Sequence, residues 1–597
     1  MGRTGKKVLV VTAVTILFGA GVFITDRGTN RIVGTEVKDD YQPLEEKKEY
    51  TVLLYMNGSD LETDRNDASR DLEEILKIMS KIGETGEINF HVAVETGGSS
   101  KWNEQRRFQI TPCGERHIEK TKPKNMGDAD TLADFLNYGI MSYPADKYIL
   151  ICWDHGSGPI DGFGSDEVFD GDSLKLQEVQ EAFDLSEMGK HTFEAVGFDA
   201  CLMGTVETVY MMPNNVKYVV ASPELESEEG WDYSWLEVLN GSGLTGEEIG
   251  KSVGKAYEKS QENQKIPMAV TVADVKKVQE SCEEWSRFLE KKTWEEEEIQ
   301  AFLKETEYLE KFYTDIYDMQ GSELVGCESL MNNMCKNFLE GATEKYGNDE
   351  AKKKNSTLSI YFPEKEPEEK DIEIYESCGF IKEYYEMLEH LVCFLRRTED
   401  FYEKEAYPYS DKIVATLSKE QYETMICAVQ VTYMKGEGQD RYVISTDSDV
   451  TVNAREHILS AVTPEEYMGL QGEVFAAIEE EVIQTEEEDV VYMQSPVLYE
   501  DVLGKLKIRF SDEYPAGEIL GVIEISEDGK SSKKIHPLEE GVRLTPLYPK
   551  EEWMYGTGGE KFVRGNTITV EWFCEEHSME AIEVDKEMIE YQFLIFL

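Results

Sequence analysis

The sequence predicts an α/β chain: a mainly parallel sheet flanked by helices, a helical extension, and a β-rich, sandwich-like C-terminal domain. Three observations carry this. From Tyr50 to Ala221, short apolar runs of strand length alternate with segments of helical spacing, the pattern of a parallel sheet covered on both faces. From about Tyr402 the pattern changes to runs such as MICAVQVTYM, GKLKIRF, GEILGVIEI and NTITVEWF, separated by turn residues, as in an all-β domain. A chain of 597 residues also exceeds what one core holds.

The elements follow in order. YTVLLYM (50–56) is a buried strand, punctuated by Asn57, Gly58 and Ser59. Asp60 is placed to cap the next helix, which sets Leu61, Ala68, Leu72, Ile75, Leu76 and Met79 near helical spacing. INFHVAVE (88–95) is a second strand, and 106–111 a short one. Residues 130–141 form a helix, KYILICW (147–153) a buried strand, 174–183 a helix and FEAVGFD (193–199) a strand. A helix over 202–212 and the strand VKYVVA (216–221) complete this alternation. Beyond Leu239 come a helix over 245–260, the strand PMAVTVA (267–273) and mostly helices over 274–346. The strand LSIYF (358–362), closed by Pro363, and a helix over 381–397 follow.

The ends and the charge bound the function. Arg3, Lys6 and Lys7 precede the uncharged run VLVVTAVTILFGAGVFIT (8–25), the layout of an export signal or an N-terminal membrane anchor. Both readings stay open, and the basic start places the rest of the chain outside the cell. Residues 26–49 are a polar linker, 50–398 the α/β domain and 400–597 the β-rich domain. The net charge of −59 repels phosphate backbones, which excludes nucleic acid as a partner class. Ten scattered cysteines make no disulfide framework.

Two short motifs carry chemistry. In WDHGSG (153–158), His155 follows a strand and precedes Gly156 and Gly158, so it sits on a tight loop. In FDACLMG (198–204), Cys201 lies where a strand ends and a helix is expected to begin. A helix N-terminus there would stabilise a thiolate. Either residue alone reads as structural. Together they occupy the carboxyl ends of two strands of one sheet, where such folds place reactive groups. A thiol nucleophile needs a nearby imidazole and N–H donors for an oxyanion. The Gly156 N–H is the first candidate donor and the Cys201 N–H the second. No residue stands out to orient His155. Zinc is disfavoured, because the pairs Cys152/His155 and Cys574/His577 each lack a second pair close by.

The stretches YPADKYILICWDHGSG (143–158) and GFDACLMGTVETVY (197–210) resemble the clostripain family of cysteine peptidases. YTVLLYMNGSDLE (50–62), MGDADTLADFLNYG (126–139), DGDSLKLQEVQEAF (170–183) and ASPELESEEGWDY (221–233) fit the same family. The resemblance implies a caspase-like fold, a His155/Cys201 dyad and cleavage after Arg or Lys, with Asp199 at the base of the specificity pocket. A carboxylate on a pocket floor suits a guanidinium or ammonium. Trp231 reads equally as a pocket wall or as core. The partners implied are proteins or peptides with Arg or Lys before the cleaved bond.

The resemblance further implies self-cleavage between the histidine and the cysteine. Lys175 is the candidate there, against an ordinary surface lysine. No cofactor is required on this reading. A Ca²⁺ site at Asp161, Asp166, Glu167, Asp170 and Asp172 is weighed against a solvated acidic loop. The rival function is a cell-surface binding or scaffold protein with an inactive caspase-like domain. The intact set of His155, Cys201 and Asp199 favours the enzyme.

Overall fold

The structure is a computed structural model. It describes residues 43–597 apart from 103, 228, 265, 295–298, 300–323, 327–338, 354–355, 363–368, 396–401, 426, 437–440, 485–488, 526–530, 551–561, 572–576 and 597. The apolar N-terminal run, Pro363, Cys574 and most of the segment 274–346 lie outside the described residues. No described helix is long and apolar enough to cross a membrane.

Tyr50–Met56 folds as expected, inside strand β1 (Lys48–Asn57), whose side chains are buried on both faces. Continuous apolar sequence and two covered faces go together. The other strands of the central sheet are β2 (Phe90–Gly97), β3 (Gln105–Thr111), β4 (Gly114–Thr121), β5 (Ala145–Trp153), β8 (Phe193–Asp199), β9 (Val216–Ala221), β10 (Ala269–Asp274) and β12 (Thr343–Gly347). Between them, β6 (Phe163–Asp166) and β7 (Asp172–Leu174) form a small hairpin, and β11 (Leu324–Gly326) pairs with β13 (Ser359–Tyr361). The nine strands run in the order β12-β10-β9-β8-β5-β1-β2-β3-β4.

The five central strands β2, β1, β5, β8 and β9 are mutually parallel. β3 and β4 add antiparallel on one side, and β10 and β12 on the other. The chain steps from β1 to β2 on one side, then returns to β5 on the other. The ends of β1 and β5 therefore border the topological switch point, where ligands bind in such sheets.

Eight helices accompany this sheet up to Leu289: α1 (Ser59–Arg65), α2 (Asp67–Thr85), α3 (Ala129–Ser142), α4 (Gly158–Asp161), α5 (Leu176–Leu185), α6 (Val206–Tyr210), α7 (Gly246–Ser260) and α8 (Val275–Leu289). One core layer takes Phe135 of α3, Phe183 of α5, Val209 of α6 and Trp285 of α8. The other takes Ile75 of α2 and Tyr257 of α7.

Three expectations need correction. The helix after β1 is two helices, broken at Asn66, which turns left-handed at φ 60°. Asn tolerates that conformation through local hydrogen bonding. Asp60 is not the cap; Gly58 holds that position with no side-chain bond. The helix expected over 202–212 shrinks to Val206–Tyr210, capped by Thr205 through its bond from Thr208 N–H. Leu202 at φ 58° cannot belong to a right-handed helix.

The described residues from Tyr402 onward are mainly antiparallel β-sheet, and their largest sheets have seven and eight strands. This part shares a core with the α/β domain: Ile483, Val490, Tyr492 and Leu520 belong to the same buried cluster as Trp153 and Trp231. A buried polar contact reinforces the junction. Glu350 accepts a hydrogen bond from the Tyr492 hydroxyl at 2.6 Å and pairs with Arg509.

Candidate active site

β5 and β8 lie side by side in register, with Trp153 opposite Asp199. His155 and Cys201 each follow their strand by two residues, so adjacent tips carry them. The contact is close. A Cβ on Gly156 would stand 2.1 Å from the Cys201 carbonyl oxygen. Glycine is needed here for space, not for an unusual dihedral. The loop is pinned by Gly164 N–H donating to the His155 carbonyl at 2.8 Å and Ser157 N–H donating to the Gly162 carbonyl at 3.0 Å. Those bonds use the groups on either side of Gly156 and leave its own N–H out of the pairing.

His155 is held from α1. Its Nε2 lies 2.7 Å from Asp60 Oδ1. Burial pushes the Asp60 carboxyl up, but the His155 hydrogen bond and charge outweigh that and hold it down at about 2. Next to this pair, Asp154 is fully buried. It accepts from Ser59 Oγ and from Ser165 N–H, both at 2.6 Å.

Cys201 lies in a turn and is 2% exposed. The expected helix-dipole support is therefore absent: α6 begins only at Val206. Its sulfur instead receives the Glu226 N–H at 3.1 Å. Residues 222–227 cover the thiol and are tied down at Glu224 and Glu226. Leu202 N–H donates to the Glu224 carbonyl at 3.0 Å, and Trp231 Nε1 donates to Glu226 Oε1 at 3.1 Å. Trp231 is wholly buried and touches Gly197, which makes it core.

Asp199 ends β8 and is buried. Its Oδ2 accepts from the Tyr233 hydroxyl at 3.0 Å. Gly230, at φ 61°, leaves open the space over this carboxylate, since a Cβ there would lie 3.1 Å from Oδ1. A second buried carboxylate stands behind. Asp71 of α2 accepts from Trp153 Nε1 at 2.7 Å. Burial, and then the Asp199 charge, push the Asp71 carboxyl well up.

The acidic loop after His155 has other occupations. Asp166 accepts from the N–H groups of Met126, Val168 and Phe169. Glu167 accepts from Ser100 N–H, Asp172 from Asn125, and Asp161 pairs with Lys175. Among the described residues no group of three His, Cys, Asp or Glu side chains is set to hold a metal. Cys152 points into the core, and burial drives its thiol far up. Lys175 stands at the start of α5. Its carbonyl accepts from Val179 N–H, and Leu176 beside it is fully buried.

The clostripain family matches residues 54–492, most of the chain. The chain belongs to the clostripain family. Clostripain of Hathewaya histolytica is 31% identical over 144 residues, which are 21% of this chain and 27% of that protein. The chain thus spans about a quarter of the length of the curated relative it matches. Among solved structures, a secreted C11 cysteine protease from Bacteroides thetaiotaomicron, in complex with an irreversible peptide inhibitor, has a TM-score of 0.41 and 18% identity. That match covers 56% of this chain and 98% of the other. An inactive zymogen C11 protease from Parabacteroides distasonis has a TM-score of 0.40 and 16% identity, over 57% and 99%.

Sequence reasoning missed three groups of this clostripain-family site: Asp60, Asp71 and the Glu226 N–H. A signal for Asp60 existed. It is an acidic residue just past the first strand, and the strand order, which sets β1 beside β5, brings it to His155.

Proposed function

We propose that the chain is a cysteine endopeptidase that cleaves after Arg or Lys, with Cys201 as nucleophile and His155 as acid–base. The observation carrying this reading is the in-register pairing of β5 and β8, with Gly156 packed onto the Cys201 backbone. Cys201 gives its proton to His155, and the sulfur attacks the scissile carbonyl carbon. An S–C bond forms, and the oxyanion faces the Gly156 N–H. His155 passes the proton to the amine nitrogen as the C–N bond breaks. Water then attacks the thioester, His155 takes its proton, and the C–S bond breaks to release the acid.

The Arg or Lys side chain would reach Asp199 beneath Gly230, where a buried carboxylate discriminates against neutral residues. The segment 222–227 must shift to admit a substrate, because Cys201 lies under Glu226. Self-processing at Lys175 belongs to the same reading. It requires the first turn of α5 to unwind, since the Lys175 carbonyl is held by Val179. The scheme uses no cofactor, so EGTA is expected to leave turnover unchanged, and added Ca²⁺ likewise. Export, with residues 1–25 as signal or anchor, completes the proposal.

The test uses the full chain in mild detergent with a reductant. The substrate is a peptide with Arg or Lys before a fluorescent leaving group. Turnover is expected, and its loss in Cys201→Ala. A silent wild type, or activity surviving Cys201→Ala, overturns the reading in favour of a binding protein.

A further inference from the structure

A two-nitrogen ring can serve as acid–base only if the correct nitrogen carries the proton. Nε2 of His155 meets Asp60 Oδ1 at 2.7 Å. An ionised carboxylate only accepts hydrogen bonds, so Nε2 must be the N–H. Nδ1 is then the nitrogen left to exchange protons with the thiol and the leaving amine. Resting on the peptidase reading above, we propose that Asp60 is the positioning residue of this site, fixing the tautomer and orientation of His155.

The contact is built into the fold. Asp60 lies in the first turn of α1, three residues past the end of β1. The turn before it is fixed by Gly58 N–H donating to the Gly97 carbonyl at 2.7 Å. On the other side, Asp154 directly precedes His155. The two oxygens of this single buried carboxylate hold Ser59, the neighbour of Asp60, and Ser165 of the hairpin. That hairpin in turn holds the His155 carbonyl through Gly164. Both partners of the imidazole–carboxylate contact thus hang from one anchor. A chance surface pair between long, mobile side chains has no such frame, and is worth little.

Arg65 of α1 acts on Asp60, Asp154 lies beneath, and Cys201 stands on the adjacent tip. Asp60 is ionised at any working pH, and its protonation is not a step of the reaction. In the proton shuttle, Nδ1 gains and loses the proton while the Nε2–H stays on Asp60. The imidazolium formed in between is stabilised by that carboxylate.

Two measurements on the full chain test this. The first is steady-state kinetics on the Arg peptide. Asp60→Ala is expected to lower kcat about 100-fold, the lower end of what a positioned acid–base group supplies, with KM within about threefold. Asp60→Asn, whose Oδ1 still accepts from Nε2, is expected to recover most of that loss. An unchanged kcat, or a rise confined to KM, overturns the proposal. The second readout needs no activity. In ¹⁵N-histidine spectra at alkaline pH, with His155→Gln identifying the signal, the Nε2–H tautomer is expected in wild type and mixed tautomers in Asp60→Ala. A predominant Nδ1–H tautomer in wild type overturns the proposal, even in a protein that proves inactive.

Discussion

Gly156 and Cys201 touch through backbone: there is no room for a methyl group between the Gly156 Cα and the Cys201 carbonyl oxygen, which a Cβ would approach to 2.1 Å. The obstacle is main chain, so nothing flexible can swing aside. Gly156→Ala must push the histidine loop off the cysteine turn. A displacement near 1 Å at reacting groups costs about 100-fold in rate. The variant is therefore expected to fold, as judged by its circular dichroism, and to lose about 100-fold in kcat on the Arg peptide. Full activity in Gly156→Ala would show that the two tips do not act together.

The cover over Cys201 gives a second prediction. The Trp231 Nε1 bond to Glu226 helps hold segment 222–227 on the thiol. Trp231→Phe removes the donor and keeps an aromatic ring in the core. A hydrogen bond of about 1 kcal/mol corresponds to roughly fivefold in an opening equilibrium. Iodoacetamide labelling of Cys201, followed by peptide mass spectrometry, is expected to quicken about that much. The exposed Cys113 supplies the internal reference rate. Equal rates in both proteins would mean that this bond does not restrain the cover.

The pair of buried carboxylates predicts a pH effect on stability. Burial and Asp199 raise the Asp71 carboxyl above its unfolded value of 3.8. A group raised on folding binds more protons in the native state, so its contribution is complete below the unfolded value and is lost as pH rises through the folded one. Asn at this position carries no such loss and can still accept from Trp153. The Tm of Asp71→Asn minus that of wild type is expected near zero at pH 4 and clearly positive at pH 8. A flat or falling difference would contradict the placement of two mutually repelling carboxylates.

Asp60 behaves oppositely. Its folded value of about 2 lies below 3.8. Its contribution is present above the unfolded value and disappears as pH falls through about 2. The stability difference between wild type and Asp60→Asn should be constant above about pH 5 and vanish toward pH 2. Thermal unfolding at four or five pH values reads this directly.

At the domain junction, Glu350 is mostly buried and faces Arg509 and the Tyr492 hydroxyl. Arg509→Ala leaves that carboxylate with less compensation, a change that typically costs about 3 kcal/mol. An earlier unfolding transition and faster trypsin nicking after residue 400 are expected. Unchanged transitions would show that the junction does not depend on this pair.

Much of this was legible before the structure, and the reasons differ by element. β5 and β8 announced themselves because both faces are covered, so KYILICW and FEAVGFD are mainly apolar, with Lys147, Glu194 and Asp199 only near their ends. The residues at their tips then stood out as the candidate reactive pair. The direction of β10 was not legible, because burial fixes composition and says nothing of polarity along the sheet. β4 escaped notice because an edge strand exposed along most of its length has no apolar alternation to read. The helix after Cys201 was misread because Leu202 and Met203 fit a helical stripe. The contrary signal was Gly204-Thr205, a break followed by a cap. Asp60 was hidden by distance: it lies 95 residues before its partner, and only the strand order brings them together.

The shared core of the two domains has a bearing on how the protein comes into being. Tyr50, in the first strand, and Leu520, far into the last third of the chain, belong to one buried layer. Contacts of such long sequence separation close late, because most of the chain must be looped before they are rewarded. The layer next to Asp199 is therefore finished only after nearly the whole polypeptide has emerged. During synthesis, the nascent chain carries Cys201 long before it can build the complete support beneath it.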